Sequence, residues 1–483
     1  MDKSIKNHKF RGTDTFREMI SNFNNVIVYF DPDVDGMIAG YFVCKYLTML
    51  GKKFQWYVNS DRKHDWSIDL SKIKGRDIIA VDFMIPEEKV KDIVSNGCNI
   101  VSMDHHVNQD TFIDIHINKG KGVVINNQYP FEEEDSGYLS GAGVVFETIC
   151  NIESKFNTKE NRALVGLTLL SDVCNIENSL ARGYLYDLYN HKYNGYIKYL
   201  IDNTLGNKDF SFGVPRLDRK YVDYVFSPAI NSLLRFNKGD DVVKFFLGSG
   251  KLDLSYHRRQ KALVKSMLDV AKVREFPNLR IVYVRDWEIP IEKDISVISN
   301  FIGLLASRFL DGKKSVIAYC ISKNEDGKKY MKRASFRGNI NGVDYLSVLN
   351  DKVEGVGHSS AFGILSMVLT YDNFLNISDS CKMIEGECNI TRNIKNLQNL
   401  SIFSNRHGKD FAEYNMYCLT QNSKYLRYTG NNIKVIREGA NYRVYKVDGV
   451  EVVSFDLSLD FFNGVIYPIL ERGYVYYYLQ SEN

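Results

Sequence analysis

The chain has 483 residues, of which 44% are hydrophobic and 25% charged, and its formal net charge is +3 at pH 7. The length predicts roughly two to four domains. The low net charge excludes nucleic-acid binding by a global positive field, so such a partner would be held by local basic patches and metal ions. Eight cysteines without a CxxC pair disfavour a disulfide framework and a zinc site. Without a signal peptide or an apolar run of about 18 residues, we expect a cytoplasmic protein.

Three carboxylates follow an apolar run near the N-terminus. The run VIVYF, which ends at Phe30, is β-branched and aromatic, and this predicts a buried strand of a parallel sheet. Asp31, Asp33 and Asp35 come next at alternate positions, and the largely apolar residues after Gly36 predict a helix. In open α/β sheets, ligands bind outside the carboxyl ends of the strands. The acids therefore lie where a site is usually built.

Two other interpretations of this acidic turn are open. The spacing resembles the start of an EF-hand calcium loop, but position 12 counted from Asp31 is Phe42 instead of a glutamate, and a strand precedes the loop. A solvated acidic turn is, for this segment alone, as well supported as a ligand site. The choice depends on the other polar residues that the fold brings to the same place.

Strands and helices alternate over the first 180 residues. Candidate strands cover residues 54–59, 77–83, 99–103 and 122–126, and Pro86 opens a helix. The segment SGAGVV, from residue 140, precedes a helical run, and the apolar residues 162–170 are expected to be buried. This alternation predicts an α/β fold with a mostly parallel, doubly wound sheet and helices on both faces.

More acids and two histidines follow these apolar segments. They are Asp82, Asp104, His105, His106 and Asp172. A carboxylate-rich set with imidazole suits Mn²⁺ or Mg²⁺ and is too poor in thiolate for a structural zinc. Two such ions roughly 3.5 to 4 Å apart would clamp a phosphoryl group and activate water. A single Asp at such a position is more often a helix cap, so the prediction depends on the whole set.

Four segments resemble, in order and spacing, the motifs of the DHH phosphoesterases. They are DPDVDG, the VDF that holds Asp82, MDHH at 103–106 and LLSD ending on Asp172. Asp31 and FSPAINSLLRF are similar to the RecJ branch, and LSGAGVVF is similar to the family's glycine-rich helix start. The segments IGLLASRFLDGKKSVIAY, KRASFRG and GVGHSSAFG resemble the family's DHH-associated domain, so the resemblance covers about residues 24–370. It implies a two-metal, RecJ-like 5′-to-3′ single-stranded-DNA exonuclease of DNA repair and recombination that releases 5′-mononucleotides.

The same resemblance implies roles for the site residues. One Mn²⁺ or Mg²⁺ ion would be bound by Asp33 and Asp82, helped by Asp31, and a second by Asp35, Asp82, His105 and Asp172. His106 would face the scissile phosphate, and Asp104 would orient a metal-binding histidine from behind. The implied catalytic set is therefore Asp82, Asp104, His105 and His106.

Substrate-binding residues are expected beyond the four motifs. The resemblance implies Asn231, Arg235, Arg337, Gly355, Gly357 and His358. If residues 328–337 form a strand, period two places Lys329, Arg333 and Arg337 on one face, where they could follow consecutive phosphates. A charge-protected edge strand is equally well supported for Lys329 and Arg333. Val356 replaces a glycine that is usual in the family, which affects the expected geometry of that turn.

Four domains are expected. A DHH catalytic domain would cover residues 1–200, a helical connector 201–275, a smaller α/β DHH-associated domain 276–375 and a β-rich domain 376–483. Residues 251–273 predict a long connector helix whose basic cluster, which includes Arg258 and Arg259, is favoured as a solvated face. Asp448 and Gly449 predict a type I′ hairpin, and RecJ proteins often carry an OB-fold in this region.

Single-stranded DNA is the expected partner, with a single-strand-binding protein as a second candidate, no membrane partner and a monomeric state. An oligonucleotide or cyclic-dinucleotide phosphodiesterase would share the chemistry but seldom needs the additional β-rich domain. A non-catalytic nucleic-acid-binding DHH scaffold is the third alternative. Such a scaffold should have lost acids, whereas this chain keeps the set.

Overall fold

The structure is a computed structural model of the chain. It describes residues 8–59, 66, 68–82, 85–106, 112–117, 120–129, 132, 137–172, 174, 179–189, 195–204, 221–290, 295–311, 313–339, 344–358, 360–387, 392–394, 426–428, 433–439, 442–447, 450–454, 464–471 and 474–481.

Six strands form the first sheet. They are β1 (Val26–Phe30), β2 (Phe54–Val58), β3 (Asp77–Val81), β4 (Asn99–Asp104), β5 (Asp114–Ile117) and β6 (Gly120–Asn126). Their order is β2-β1-β3-β4-β6-β5, and every neighbouring pair is parallel except β5 with β6. Strands β2 and β3 lie on opposite sides of β1, so the carboxyl ends of β1 and β3 flank a topological switch point. The predicted strands are confirmed, and β5 is an addition to them.

Helices cover both faces of this sheet. They are α1 (Thr13–Asn22), α2 (Val34–Met49), α3 (Glu87–Ser95), α4 (Gly141–Ile152) and α5 (Lys159–Ser171). Val90 and Ile93 of α3 pack against one face, in a cluster with Ile78 and Ile100. Helices α1, α2, α4 and α5 contribute to the larger cluster on the other face. The predicted doubly wound arrangement is confirmed.

Among the described residues, five more helices lie between the first sheet and the second. They are α6 (Ser179–Tyr189), α7 (Gly195–Thr204), α8 (Ser227–Arg235), α9 (Gly239–Phe246) and α10 (Ser255–Val270). The predicted helix over residues 251–273 is shorter at both ends, since residues 251–254 precede it and Lys272 already pairs in a strand. The helical character of this connecting region is confirmed for its described residues.

The second sheet also has six strands. They are β7 (Lys272–Glu275), β8 (Leu279–Arg285), β9 (Ser315–Lys323), β10 (Lys329–Arg337), β11 (Val353–His358) and β12 (Ala361–Met367). The order is β11-β12-β10-β9-β8-β7, and β8 with β9 is the parallel pair among them. Helices α11 (Ile302–Phe309), α12 (Tyr345–Val348) and α13 (Tyr371–Glu387) accompany it, and a 3₁₀ segment, Ile295–Phe301, leads into α11.

A β-bulge in β10 corrects one prediction. The register with β9 shifts between Met331 and Arg333: Met331 pairs with Ile321 and Arg333 with Cys320, so that Lys332 is an extra residue in β10. Side chains alternate between the two faces of a strand. The extra residue therefore places the side chains before it on the face opposite to the one that strict alternation predicts. Lys329 therefore lies on the face opposite to Arg333 and Arg337, and the predicted ladder of three cations on one face is wrong.

A third, β-rich sheet lies in the C-terminal region. Its strands are β13 (Arg392–Ile394), β14 (Leu426–Tyr428), β15 (Ile433–Gly439), β16 (Tyr442–Val447), β17 (Val450–Ser454), β18 (Gly464–Glu471) and β19 (Tyr474–Ser481). Their order is β13-β14-β18-β19-β17-β16-β15. An OB-fold has about five strands, so OB-like character stays a prediction.

Two further sequence predictions concern this part of the chain. Asp448 and Gly449 lie outside the described residues, but the flanking strands pair antiparallel with Val447 opposite Val450. Helix α13 crosses the expected domain boundary at residue 376 and packs Phe374 and Ile377 into the core of the second sheet. No helix of the described residues is long and apolar enough to cross a bilayer.

Candidate metal centre and substrate face

The acidic turn after β1 is organised by its own backbone. Asp33 caps α2, since its Oδ1 accepts a hydrogen bond from Gly36 N at 2.9 Å. A side chain at position 36 would place its Cβ only 2.6 Å from the carbonyl oxygen of Asp31. Asp31 and Asp35 are each 1% exposed. The tight turn thus places three carboxylates at one strand end, two of them buried.

Asp82 follows β3 in an unusual conformation. Its φ is 64°, a left-handed backbone geometry that is uncommon outside glycine and that Asp adopts more readily than most residues. Asp82 is 2% exposed, and within the described part of the chain its Oδ1 accepts no hydrogen bond. A Cβ on Gly141 would lie 2.3 Å from that oxygen. The structure therefore keeps a buried carboxylate oxygen available, and it needs a glycine beside it.

His105 joins acids from three different elements. Its Nε2 lies 3.3 Å from Asp82 Oδ1, 3.5 Å from Asp172 Oδ2 and 3.9 Å from Asp35 Oδ2. Asp35 follows β1, Asp82 follows β3 and Asp172 is the C-cap of α5. The parallel sheet brings these strand ends together because their carboxyl ends share one edge. Residues that are up to 137 positions apart thus meet around one imidazole.

His106 is held from behind by a buried acid. Its Nδ1 lies 2.7 Å from Asp104 Oδ1, and Asp104 is fully buried. Asn126 supports this pair, because its Nδ2 donates to Asp104 Oδ2 at 3.5 Å and to the carbonyl oxygen of His106 at 2.9 Å. With Nδ1 engaged, Nε2 is the ring nitrogen that can meet a ligand.

The N-terminus of α4 holds Asp35. Its carboxylate accepts from the backbone N–H groups of Gly141, at 2.6 Å, and Ala142, at 3.1 Å. First-turn N–H groups have no partner within their own helix, and the helix dipole favours an anion there. The segment SGAGVV, noticed in the sequence as a helix start, therefore positions a carboxylate of the cluster.

The electrostatics of the cluster favour a cation. Burial, together with the charges of neighbouring carboxylates, raises the pKa of Asp35 and of Asp82 well above the ordinary aspartate value. For His106 burial acts in the other direction, but the adjacent Asp104 carboxylate raises its pKa to about 10. Charge repulsion among buried acids costs free energy that a bound divalent ion would relieve.

The donor set fits Mn²⁺ or Mg²⁺. Within the described part of the chain, three groups have ligand atoms within 4.8 Å of one another: Asp31, Asp33 and Asp82; Asp82, His105 and His106; and His105, Asp172 and Cys174. Oxygen and imidazole ligands suit these ions, and a buried carboxylate oxygen without a hydrogen-bond donor is a ready ligand. All the sequence-predicted metal residues thus lie in one cluster, with Asp82 and His105 shared between groups.

Several residues of this cluster were missed from the sequence. Cys174 donates its thiol to Asp172 Oδ2 at 3.3 Å, Asn126 supports Asp104, and Gly141 makes room for Asp82. The signal for Cys174 was its position two residues after Asp172. Asn126 gave no local signal, and Gly141 was noticed only as part of the helix start LSGAGVVF, because the contact of each with an acid of the cluster is made across elements.

The expected substrate residues lie on several elements. Asn231 and Arg235 are on α8, Arg333 and Arg337 are on β10, and Gly355, Gly357 and His358 are on β11. Asn231 Oδ1 is buried and, among the described residues, accepts no hydrogen bond. Gly357 has a φ of 131°, which requires a glycine. Lys329 lies on the opposite face of β10.

Arg337 is a cation set into the protein surface. Burial lowers its pKa to about 10, and no carboxylate of the described residues offsets that effect. Its Nη1 donates to Ser335 Oγ at 2.8 Å and to the carbonyl oxygen of Phe336 at 2.7 Å. Gly303 of α11 lies against it, since a Cβ there would be 2.8 Å from Nη2. A half-buried guanidinium held by neutral groups is suited to receive an anion.

Comparison with known proteins agrees with this arrangement. Residues 25–171 match the DHH family, N-terminal domain, whereas no curated protein matches the chain. The chain is similar to RecJ from Thermus thermophilus in complex with Mn²⁺, at 14% identity and a TM-score of 0.60, over 100% of this chain and 72% of that chain. The Mg²⁺ complex of RecJ from the same organism gives 14% and 0.55, over 100% and 71%.

A second solved structure, of exonuclease RecJ bound to manganese, is 15% identical with a TM-score of 0.52, over 78% of this chain and 95% of that chain. At such identities the likeness shows the fold. Residues 25–171 thus match the DHH-family N-terminal domain, and the chain has a RecJ-like fold.

Proposed function

We propose, from the premise that residues 25–171 are a DHH-family N-terminal domain in a RecJ-like fold, that this protein is a metal-dependent phosphodiesterase. The most specific form of the proposal is a 5′-to-3′ exonuclease that acts on single-stranded DNA and releases 5′-mononucleotides. The observation that carries it is the contact of His105 with Asp82 and Asp172 at one edge of the first sheet.

Two ions, Mn²⁺ or Mg²⁺, would be held by the residues of this cluster. Asp33 and Asp82, with Asp31, would bind one ion, and Asp35, Asp82, His105 and Asp172 the other. When bound, such a pair of ions supplies an activated water and stabilises the leaving oxygen of a phosphodiester. Asp82 would belong to both sets, which agrees with its place in two of the three groups of close ligand atoms.

His106 and Asp104 would act on the substrate side. The contact between Asp104 and His106 Nδ1 fixes the ring and favours the protonated imidazole. Nε2 can then donate to an oxygen of the scissile phosphate and stabilise the charge that develops there. Asp104 would be a positioning residue, because it acts through His106.

The substrate would be held by the face of the second sheet that carries Arg333 and Arg337. The half-buried guanidinium of Arg337 would receive a phosphate, since its hydrogen bonds to Ser335 and Phe336 hold it with neutral groups, and Asn231 offers a buried amide oxygen. An enzyme for long strands has a use for such a second site beyond its metal centre. This supports a strand as substrate over a dinucleotide.

The test is hydrolysis of single-stranded DNA of several tens of nucleotides, labelled at the 5′ or the 3′ end, in Mn²⁺. Duplex DNA, single-stranded RNA and a dinucleotide serve as competing substrates. Asp82→Ala is expected to abolish hydrolysis, while Asp92→Ala, which removes an exposed carboxylate of α3, is expected to leave it unchanged.

Mononucleotide release from the 5′ end of the long strand would support the exonuclease. Turnover of the dinucleotide alone would replace it with a small-substrate phosphodiesterase. Binding of DNA without turnover of any substrate would replace it with a nucleic-acid-binding scaffold.

A further inference from the structure

Helix α8 lies between two hydrophobic cores. Ile230 and Leu233 belong to the core of the first sheet, whereas Phe236, directly after the helix, belongs to the core between α10, α11 and the second sheet. Phe236 packs on Phe301, with ring centroids 4.9 Å apart. The end of α8 is therefore the joint between the metal-centre region and the second sheet.

The last turn of α8 is closed from outside the helix. Asn237 has a φ of 58°, and Lys238 N donates to the carbonyl oxygen of Leu233 at 3.0 Å, as in a left-handed C-terminal cap. Asn300, in the 3₁₀ segment before α11, donates its Nδ2 to the carbonyl oxygen of Arg235 at 2.9 Å. This side chain thus meets one of the terminal carbonyls that a helix leaves without an internal partner.

The same amide also holds a cation of the second sheet. Asn300 Oδ1 accepts a hydrogen bond from Arg333 Nη1 at 3.0 Å. A carbonyl on one side needs a donor and a guanidinium on the other needs an acceptor, so only one orientation of the amide satisfies both. One side chain therefore connects the end of α8 to Arg333 of β10.

Arg235 is held in a similar way. Its Nη1 donates to Gln260 Oε1 of α10 at 3.2 Å. In both contacts a neutral amide oxygen orients the guanidinium. Two more cations lie near this joint, since Arg259 lies over the ring of Phe236 at 4.6 Å and Lys238 over that of Tyr256 at 5.9 Å. The joint therefore gathers positive charge from α8, α10 and β10.

We propose that Asn300 is a positioning residue that fixes Arg333 relative to Arg235, so that a single strand is bound through two of its phosphates at this joint. The proposal rests on the proposed function, because it assumes that the ligand is a nucleic-acid strand. The bulge in β10 agrees with it, since it moves Lys329 to the other face of the strand, while Arg333 bonds Asn300 directly.

The experiment measures binding of a fluorescently labelled thymidine oligonucleotide of about 20 nucleotides by anisotropy, in EDTA so that the strand is not cleaved, at several KCl concentrations. Asn300→Ala is expected to raise Kd about tenfold, as for the loss of one charged hydrogen bond. The slope of log Kd against log salt should fall by about 0.7, as for the loss of one single-strand phosphate contact.

Arg333→Gln distinguishes two roles of Asn300: positioning Arg333, or only capping the C-terminus of α8. If Asn300 acts through Arg333, the double variant Asn300→Ala/Arg333→Gln should bind as Arg333→Gln does alone. Asn300→Asp keeps the size of the side chain but would neutralise Arg333, and the same loss of salt slope is expected in a folded protein. Asn278→Ala is the matched control, because Asn278 is also half-buried and donates to a backbone carbonyl, that of Ser378 at 3.3 Å, on the opposite face of the sheet.

Each outcome decides the proposal. Additive losses in the double variant, or a lower Tm with an unchanged salt slope, would show that Asn300 only caps α8 and would overturn the proposal. If the wild type cleaves the strand in Mn²⁺ and binds it in EDTA, but Asn300→Ala binds equally well, this inference fails while the proposed function stands. The same holds if the wild type cleaves the strand in Mn²⁺ but does not bind it in EDTA. If the wild type neither binds the strand in EDTA nor cleaves it in Mn²⁺, both fail.

Discussion

The metal centre and the face of the second sheet that carries Arg333 and Arg337, here the arginine face, differ in charge and in how their side chains are held. In the metal centre the backbone does most of the positioning: N–H groups of α4 hold Asp35, and a left-handed residue presents the carboxylate of Asp82. On the second sheet, side chains hold side chains, as Asn300 holds Arg333. The first arrangement therefore depends on backbone geometry and the second on side-chain contacts.

The two regions carry charges of opposite sign, and each would be stabilised by a ligand of the other sign. Asp35 and Asp82 are buried anions with raised pKa values, and Arg337 is a half-buried cation with a lowered one. Divalent cations would complete the first region and phosphates the second. Binding of metal and of substrate should therefore be separable by mutation.

Loss of Asp82 should have the largest effect. Because its pKa is raised in the folded state, the wild type without metal loses stability as pH rises above the usual aspartate range of about 4. In EDTA near neutral pH, Asp82→Asn should therefore have the higher Tm, and this difference should shrink towards about pH 4. With Mn²⁺ the order should reverse, since only the wild type gains the full binding free energy.

Thermal unfolding in EDTA and in Mn²⁺ between about pH 4 and pH 8 measures this. Asp92→Asn is the control and should follow the wild type in both buffers. An Asp82→Asn protein that is less stable than the wild type in EDTA at every pH would contradict the account.

Gly141→Ala should weaken the metal centre without removing a ligand. The new Cβ would lie 2.3 Å from Asp82 Oδ1, so the carboxylate must move. Displacing a ligand from its supported position costs about 10- to 100-fold in metal affinity, which a Mn²⁺ titration followed by calorimetry would detect. Gly143→Ala, whose Cβ meets only the side chain of Leu139 at 3.1 Å, should bind Mn²⁺ nearly as the wild type does.

Gly303→Ala should weaken substrate binding at the arginine face without removing Arg337. Its Cβ would lie 2.8 Å from Arg337 Nη2, and the end of a long side chain can move away at little cost in stability. We expect about tenfold weaker binding of single-stranded DNA, as for one charged hydrogen bond, with unchanged Mn²⁺ affinity. Ser307→Ala, which loses a 3.3 Å contact with Arg337 Nε and the hydrogen bond from its Oγ to the carbonyl oxygen of Gly303, should change Kd far less. Equal Kd values for Gly303→Ala and wild type would exclude Arg337 from the substrate face.

Lys329→Gln should have the smallest effect. The bulge places Lys329 on the face opposite to Arg333. An exposed charge that lies away from the bound DNA contributes little to binding, so Kd for single-stranded DNA should rise less than about twofold. Arg333→Gln, measured beside it, should cost more and lower the salt slope. Equal increases in Kd in the two variants would support the original prediction that Lys329, Arg333 and Arg337 bind the DNA from one face.

The carboxylate cluster was largely predictable because its signals are local. Each acid follows an apolar strand or helix directly, and parallel strands bring their carboxyl ends to the same edge. Asp31, Asp33, Asp82, His105 and Asp172 were all named from such positions. Their neighbours Gly141 and Asn126 were not, because the contacts that give them a role are made between distant elements.

The arginine face was less predictable. Period two held for β10 only after residue 332, since one extra residue in the strand exchanged the two faces for Lys329 and Tyr330. A bulge is recognised by its pairing with the partner strand, and the sequence of one strand does not contain that pairing. Asn300 carried no motif and no periodicity.

The sequence by itself thus determined the alternating α/β order, the acids at the strand ends and the β-rich C-terminal region, because hydrophobic periodicity and turn chemistry act over a few residues. Only the tertiary structure decided which oxygens meet at His105, which face of β10 carries the arginines and which amide connects α8 to that face. Those contacts depend on packing between segments far apart in the chain, where a shift of one residue or one Cβ changes the partner.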